Sequence, residues 1–158
     1  MRKFLLLLFC LALFYCAPSE ALACSCAPDI LRTGETEDQR IDAARREAQA
    51  VFSGTVLKIK IRKPSQGDRN PPVEVTFKVL SVWKGIKTEK AIVLTENDFS
   101  GGCCKNFEVG KSYLVYAYDW NDIGGLGTNQ CTRTKEMSDA ERDLRVLGEG
   151  KAPKRAKR

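Results

Sequence analysis

Residues 51–61, V-F-S-G-T-V-L-K-I-K-I, alternate apolar with polar positions over most of their length, the period of a half-buried strand. Residues 73–83, V-E-V-T-F-K-V-L-S-V-W, alternate more strictly, and Lys84-Gly85 closes them with turn chemistry. Between the two, residues 63–72 carry Pro64, Ser65, Gly67, Asp68, Asn70, Pro71 and Pro72, an exposed connector, so the pair reads as a hairpin. Residues 91–95 and 113–118 predict two further strands, separated by the Gly101-Gly102-Cys103-Cys104 loop and Gly110, and 127–131 predict a short fifth. Ahead of the first strand, residues 32–47 are rich in charge. There Ile41, Ala44 and Ala48 fall at helical spacing behind Thr36 or Asp38 as a cap. At the far end Ser138-Asp139-Ala140-Glu141 predicts an N-capped helix that turns Leu144 and Leu147 inward until Gly148 stops it. This order is mainly β. It fits a closed five-stranded OB-type barrel with flanking helices, with a two-sheet sandwich as the runner-up.

The first residues change the picture of where the chain works. Arg2 and Lys3 precede twelve uncharged, mostly apolar residues (4–15), and Ala21-Leu22-Ala23 follows as an A-x-A cleavage signal. A membrane span would need about 20 apolar residues, and Pro18 and Glu20 end this run too early. Residues 1–23 therefore read as a signal peptide, and the protein as secreted to the extracellular space. Ala21 and Leu22 stand in swapped places for a lipid-attachment signal, which favours ordinary cleavage and makes Cys24 the mature amino terminus. Loss of residues 1–23 from the 158 leaves 135 and takes the net charge from +6 to +5. That length supports one domain, residues 24–148, burying roughly two-thirds of its unfolded surface. Residues 149–158 form a basic tail in which Lys151, Lys154, Arg155, Lys157 and Arg158 have no apolar partner, the pattern of a solvated, disordered segment. Sulfated matrix polysaccharide is the partner such a tail would suit outside the cell.

Five cysteines, Cys24, Cys26, Cys103, Cys104 and Cys131, remain after cleavage, and an oxidising compartment makes them disulfide candidates. The number is odd, so one thiol stays over or joins another molecule. Cys24 and Cys26, two apart in an extended segment, point to opposite faces and can each reach a different partner. A four-thiolate zinc or copper(I) site with Cys103 and Cys104 is the competing use of the same residues. Much other chemistry is excluded by composition. The chain has no histidine, which removes Ser-His-Asp and Cys-His catalysis and H-E-x-x-H zinc sites. Gly124-Gly125-Leu126-Gly127 lacks the G-K-[ST] of a phosphate loop and reads as a turn. Asp119, Asp122 and Asp139 show no spacing that singles out a catalytic pair. Trp83, Tyr113, Tyr116 and Tyr118 are core and rim aromatics in preference to base-stacking platforms, given the leader. The chain reads as no enzyme and as neither a nucleic-acid nor a membrane partner.

C-S-C-A-P after the cleavage site, A-V-F-S-G-T-V, V-L-S-V-W-K-G, the C-x-x-x-F-x-x-G-x-x-Y-L-V-Y-A run from Cys103, and Cys131 before the last helix together resemble one known family. It is that of the tissue inhibitors of metalloproteinases, whose inhibitory domain is a netrin-like OB barrel. The resemblance covers roughly residues 24–147. It implies that Cys24 pairs with Cys103, whose spacing to Phe107 and Gly110 fits better than that of Cys104, and that Cys26 pairs with Cys131, leaving Cys104 as the unpaired thiol. It also implies a mechanism: the Cys24 amine and carbonyl chelate the target protease's catalytic zinc and displace its water. Ser25 then enters the specificity pocket, and Cys26, Ala27 and Pro28 run along the cleft. No cofactor of its own is implied, only the zinc of a secreted metalloprotease. Vertebrate members carry a third bridge in this domain and a second cysteine-rich domain, both absent here, and no N-x-[ST] acceptor occurs. A netrin-like extracellular interaction module that inhibits nothing is the alternative, since a fold does not fix function.

Overall fold

The structure, a computed structural model, describes residue 26 and residues 34–64, 71–97, 103–120 and 124–154. Helix α1 (Glu37–Glu47) opens with a capping box. Thr36 Oγ1 accepts from the Gln39 N–H at 3.3 Å, and Gln39 Oε1 accepts from the Thr36 N–H at 2.7 Å, so two donors that a helix start leaves bare are satisfied. Strands β1 (Ala50–Ile61), β2 (Val73–Lys84), β3 (Lys90–Thr95), β4 (Ser112–Asp119) and β5 (Leu126–Gly127) follow. Strand β6 (Lys135–Glu136), a 3₁₀ turn (Met137–Asp139) and helix α2 (Glu141–Leu147) complete the chain order.

The five main strands pair in the order β1-β2-β3-β5-β4, and β4 returns to β1, so the sheet closes on itself. All of these pairings are antiparallel except β3 with β5, which meet in parallel at Leu94 and Gly127. This is a mixed, closed five-stranded barrel of OB type, not a two-sheet sandwich. Closure needs a strand that curves, and β1 supplies it: its register against β2 shifts three times, between Val51 and Phe52, Ser53 and Gly54, and Val56 and Lys58.

Alternation sorts the side chains into two cores. Phe52, Val56, Val75, Phe77, Val93, Tyr113 and Val115 fill the barrel. Phe77 sits edge-on to Phe52 (5.5 Å between centroids) and to Phe107 (5.4 Å), which in turn stacks edge-on against Tyr113 at 4.8 Å. The opposite faces of β1 and β4, Val51, Leu114 and Tyr116, are covered by Ile41, Ala44 and Ala48 of the α1 region and by Ala140 and Leu147 around α2. Strand β4 is therefore buried on both sides from Tyr113 to Ala117, which explains its unbroken apolar run.

Three expectations need correction. The strand foreseen over 127–131 is only Leu126–Gly127, because Asn129 Oδ1 takes the Cys131 N–H at 3.0 Å and folds the chain into a turn. Ser138 caps no helix. Its Oγ meets Asp139 Oδ1 at 3.2 Å, and α2 starts instead from Ala140, which is fully buried in the helix-covered core; packing there outweighs a side-chain cap. The basic tail, foreseen as disordered from 149, is paired over its first part. The Val82 N–H donates to the Lys151 carbonyl at 2.8 Å, the Lys151 N–H returns to the Val82 carbonyl at 2.9 Å, and the Lys154 N–H reaches the Lys87 carbonyl at 3.0 Å. Residues 155–158 lie outside the described residues.

Candidate functional site: a cysteine-anchored edge

Of the five residues the sequence singles out as a working edge, Cys24, Ser25, Ala27 and Pro28 lie outside the described residues. Cys26 is exposed and bridged to Cys131, 105 residues away. Cys103 is also in a disulfide, whereas Cys104 is a thiol whose Sγ donates to Asn106 Oδ1 at 3.6 Å. The Cys24 end of the expected Cys24 to Cys103 bridge falls outside the described residues. With Cys26 and Cys103 oxidised, the four-thiolate metal reading is lost, and among the described residues no cluster of three or more ligating side chains exists. Nor is any described helix long and apolar enough to cross a membrane.

The two cysteine-bearing loops are neighbours. The Gln130 N–H donates to the Cys103 carbonyl at 2.8 Å, so the loop that holds Cys131 is tied directly to the segment that holds Cys103. Each is tied back to the barrel in turn. The Thr128 N–H donates to the Leu94 carbonyl at 2.9 Å, and the Lys105 N–H to Thr95 Oγ1 at 2.9 Å, which places both loops at the end of β3. Below Cys131 the hydroxyl of Thr128 lies 2.7 Å from those of both Thr132 and Thr134, and the Tyr116 N–H donates to Thr134 Oγ1 at 3.0 Å. Buried hydroxyls with every partner made are rigid supports.

Two residues beyond Cys131 the support becomes ionic. Arg133 donates to Asp143 through Nε (3.1 Å) and Nη2 (3.2 Å), and its Nη2 also meets Glu37 Oε1 at 2.7 Å. Lys135 Nζ (2.9 Å) and the Tyr116 hydroxyl (3.1 Å) complete the shell around the Asp143 carboxylate, which is 1 % exposed as a residue. Burial alone would raise the Asp143 pKa, but the hydrogen bonds from Arg133 and Lys135 outweigh it and hold the carboxyl below its ordinary range. The Tyr116 hydroxyl is pushed up, first by burial and then by the Asp143 charge. Glu37 starts α1 and Asp143 lies in α2, so Arg133 clamps both helices to the cysteine loop. The sequence reading missed this cluster. Asp143 looks like a first-turn acid favoured by the helix dipole, and no local signal separates that role from burial; only the unbroken apolar run of β4 hints that helices must lie over it.

No protein-family model matches the chain, and no curated protein matches it in sequence. The chemistry this arrangement offers is positional. It fastens the exposed Cys26 to a loop that is tied in turn to the end of β3, to β4 and to both helices.

Proposed function

We propose that the chain is a secreted inhibitor of zinc metalloendopeptidases, of the kind its amino-terminal motif resembles. The observation that carries this reading is the Cys26 to Cys131 bridge, set in a loop hydrogen-bonded to the disulfide-bonded Cys103. A strand that is to lie along a protease cleft binds more tightly when its ordering entropy is lost before the encounter, and two neighbouring anchors are a means to that end. In the proposed complex Cys24 supplies an α-amino nitrogen and a carbonyl oxygen to the protease's zinc, replacing the water that would attack a substrate. The nitrogen must be neutral. An α-amino group titrates at about 7.7 to 8.0, so its deprotonation on binding costs little near neutral pH. Ser25 enters the specificity pocket, and Cys26, Ala27 and Pro28 occupy the cleft beyond it.

The test is a comparison of two amino termini. Mass spectrometry of the secreted protein is expected to read Cys24 first. One alanine added ahead of it removes the free amine from the zinc and is expected to weaken inhibition of a secreted zinc endopeptidase by at least about a hundredfold, or about 2.7 kcal/mol. Equal inhibition by both forms refutes chelation by Cys24. No inhibition by either, with the barrel folded, favours the non-inhibitory interaction module.

A further inference from the structure

On the far side of α1 from Cys131 lies a cleft of about 340 Å³ where the end of β2, the turn after it and residues 149–154 meet. Its lining includes Trp83 and five cations, Arg45, Lys84, Lys87, Lys151 and Lys154, against the single carboxylate of Glu149. Trp83, Arg45 and Lys84 also line an adjoining recess beside Asp42 and Arg46, so the two form one groove around the indole. Among the described residues none of these five cations is in an ion pair, while the acid at the recess, Asp42, is already matched to Arg46 at 3.3 Å.

The groove is built by the fold rather than left by a loose tail. Trp83 Nε1 donates to the Gly148 carbonyl at 2.9 Å, which fixes the ring. A Cβ at position 150 would lie 3.0 Å from Trp83 Cε2 and 2.9 Å from Ser81 Cβ, so only glycine lets the backbone run this close past the indole. The two Val82 to Lys151 hydrogen bonds and the Lys154 to Lys87 bond then hold the backbone of both lysines at set positions. Lys84 spans the other side, its Nζ 3.2 Å and 2.6 Å from the Arg45 and Arg46 carbonyls at the end of α1.

We infer that this groove binds a linear sulfated polysaccharide. Five like charges held together against a single carboxylate repel one another, and a polyanion relieves that repulsion while releasing its own condensed counterions. Their spread over three elements suits a chain of repeating anionic groups, not one small anion gathered in a nest of N–H groups. A single partly exposed indole offers one sugar ring a flat apolar face, whereas sequence-tolerant binding of single-stranded nucleic acid uses several stacking aromatics. Helix α1 stands between this groove and the recess beside Cys131, which Arg40, Ala44 and Glu47 line from its opposite side. Occupancy therefore leaves the Cys26 edge open, and the inference does not depend on the inhibitor reading.

The experiment measures heparin binding by calorimetry across a salt series, with a single-stranded oligonucleotide of matched charge as comparator. The protein is expected to bind heparin, and Arg45→Gln/Lys87→Gln/Lys151→Gln/Lys154→Gln to weaken it by about tenfold or more at about 50 mM salt, with a log K against log salt slope shallower by about 2 to 3. A second variant of equal net charge, Lys58→Gln/Lys78→Gln/Lys90→Gln/Arg145→Gln, is expected to stay within about threefold of the parent, as is a chain ending at Lys154. All eight side chains are at least partly exposed, and circular dichroism melts confirm that both variants fold. Equal losses in both charge variants overturn the inference in favour of unspecific attraction. Loss only in the shortened chain assigns binding to residues 155–158, and tighter binding of the oligonucleotide through the same four residues makes nucleic acid the partner; either result overturns it too.

Discussion

Replacing Asp143 with Asn removes one charge and one acceptor oxygen and leaves the volume of the side chain almost unchanged, so its cost reports the polar cluster and not a cavity. Breaking a buried pair by deleting one partner costs about 3 to 5 kcal/mol, because the remaining charge stays behind uncompensated. Here two cations remain. The Arg133 and Lys135 side chains keep 20 % and 27 % exposure against 2 % for Asp143, so both regain part of their hydration, and the expected loss falls to about 2 to 4 kcal/mol. In a domain of this size that lowers Tm by about 8 to 15 °C. The pH dependence has a definite sign. The folded carboxyl titrates below its ordinary range, so its stabilisation is complete above the unfolded value of about 3.9 and is lost as pH falls through the folded one. Thermal melts of parent and variant from neutral pH to below pH 3 should converge as acid is added. A drop in Tm under about 2 °C at neutral pH, or melts that stay parallel down the acid limb, would refute the clamp. A double-mutant cycle with Arg133→Met separates the pair from the rest of the cluster, and a coupling energy near zero would assign the cost to Lys135 and Tyr116.

Two further outcomes follow from the backbone. Cys131→Ser opens a bridge between residues 105 apart and is expected to cost up to about 4 to 5 kcal/mol by the chain-entropy account; urea denaturation of the oxidised protein checks it, and a loss below about 1 kcal/mol contradicts it. Gly85→Ala places a Cβ against the Gln49 carbonyl oxygen, 2.9 Å from Ala50 Cα, at a φ of 78° that disfavours any side chain. Its expected cost is about 2 to 4 kcal/mol by the same assay, and a neutral result would mean that the turn after β2 moves freely away from Gln49 and Ala50 at the start of β1.

The barrel was legible because its strands announce themselves. Residues 51–61 and 73–83 alternate at period two, and the structure places β1 and β2 there with ends moved by a single residue. Helix α1 was equally open, since Thr36 and Gln39 form a capping box that depends only on residues three apart. What stayed hidden depends on contacts across long separations. Nothing local tells that Asp143 faces Arg133 and not water, or that Asn129 will turn the chain before a fifth long strand can form. The tail misled for the same reason: Lys151 and Lys154 look solvated in sequence, and their side chains are exposed, yet their backbone groups are engaged with β2 and the turn after it. The preference for Cys103 over Cys104 as the disulfide cysteine is what the family resemblance implies, through the spacing to Phe107 and Gly110; Phe107 packs into the barrel end against Phe77 and Tyr113 and so sets where that segment enters.

Pairing of the tail with β2 also bears on self-association. A closed barrel presents no edge, but β2 is longer than β3, whose register ends where Lys78 meets Lys90. Beyond Val79, whose N–H is taken by the Glu89 carbonyl at 2.9 Å, one side of β2 carries backbone donors and acceptors that another molecule's strand could take, beside an exposed Leu80. Residues 150–151 lie along that side and occupy Val82. Residues 150–154 thus act as a selvedge, finishing a length of sheet that closure leaves raw, and the lysines within them add the charge that discourages a second strand from docking there.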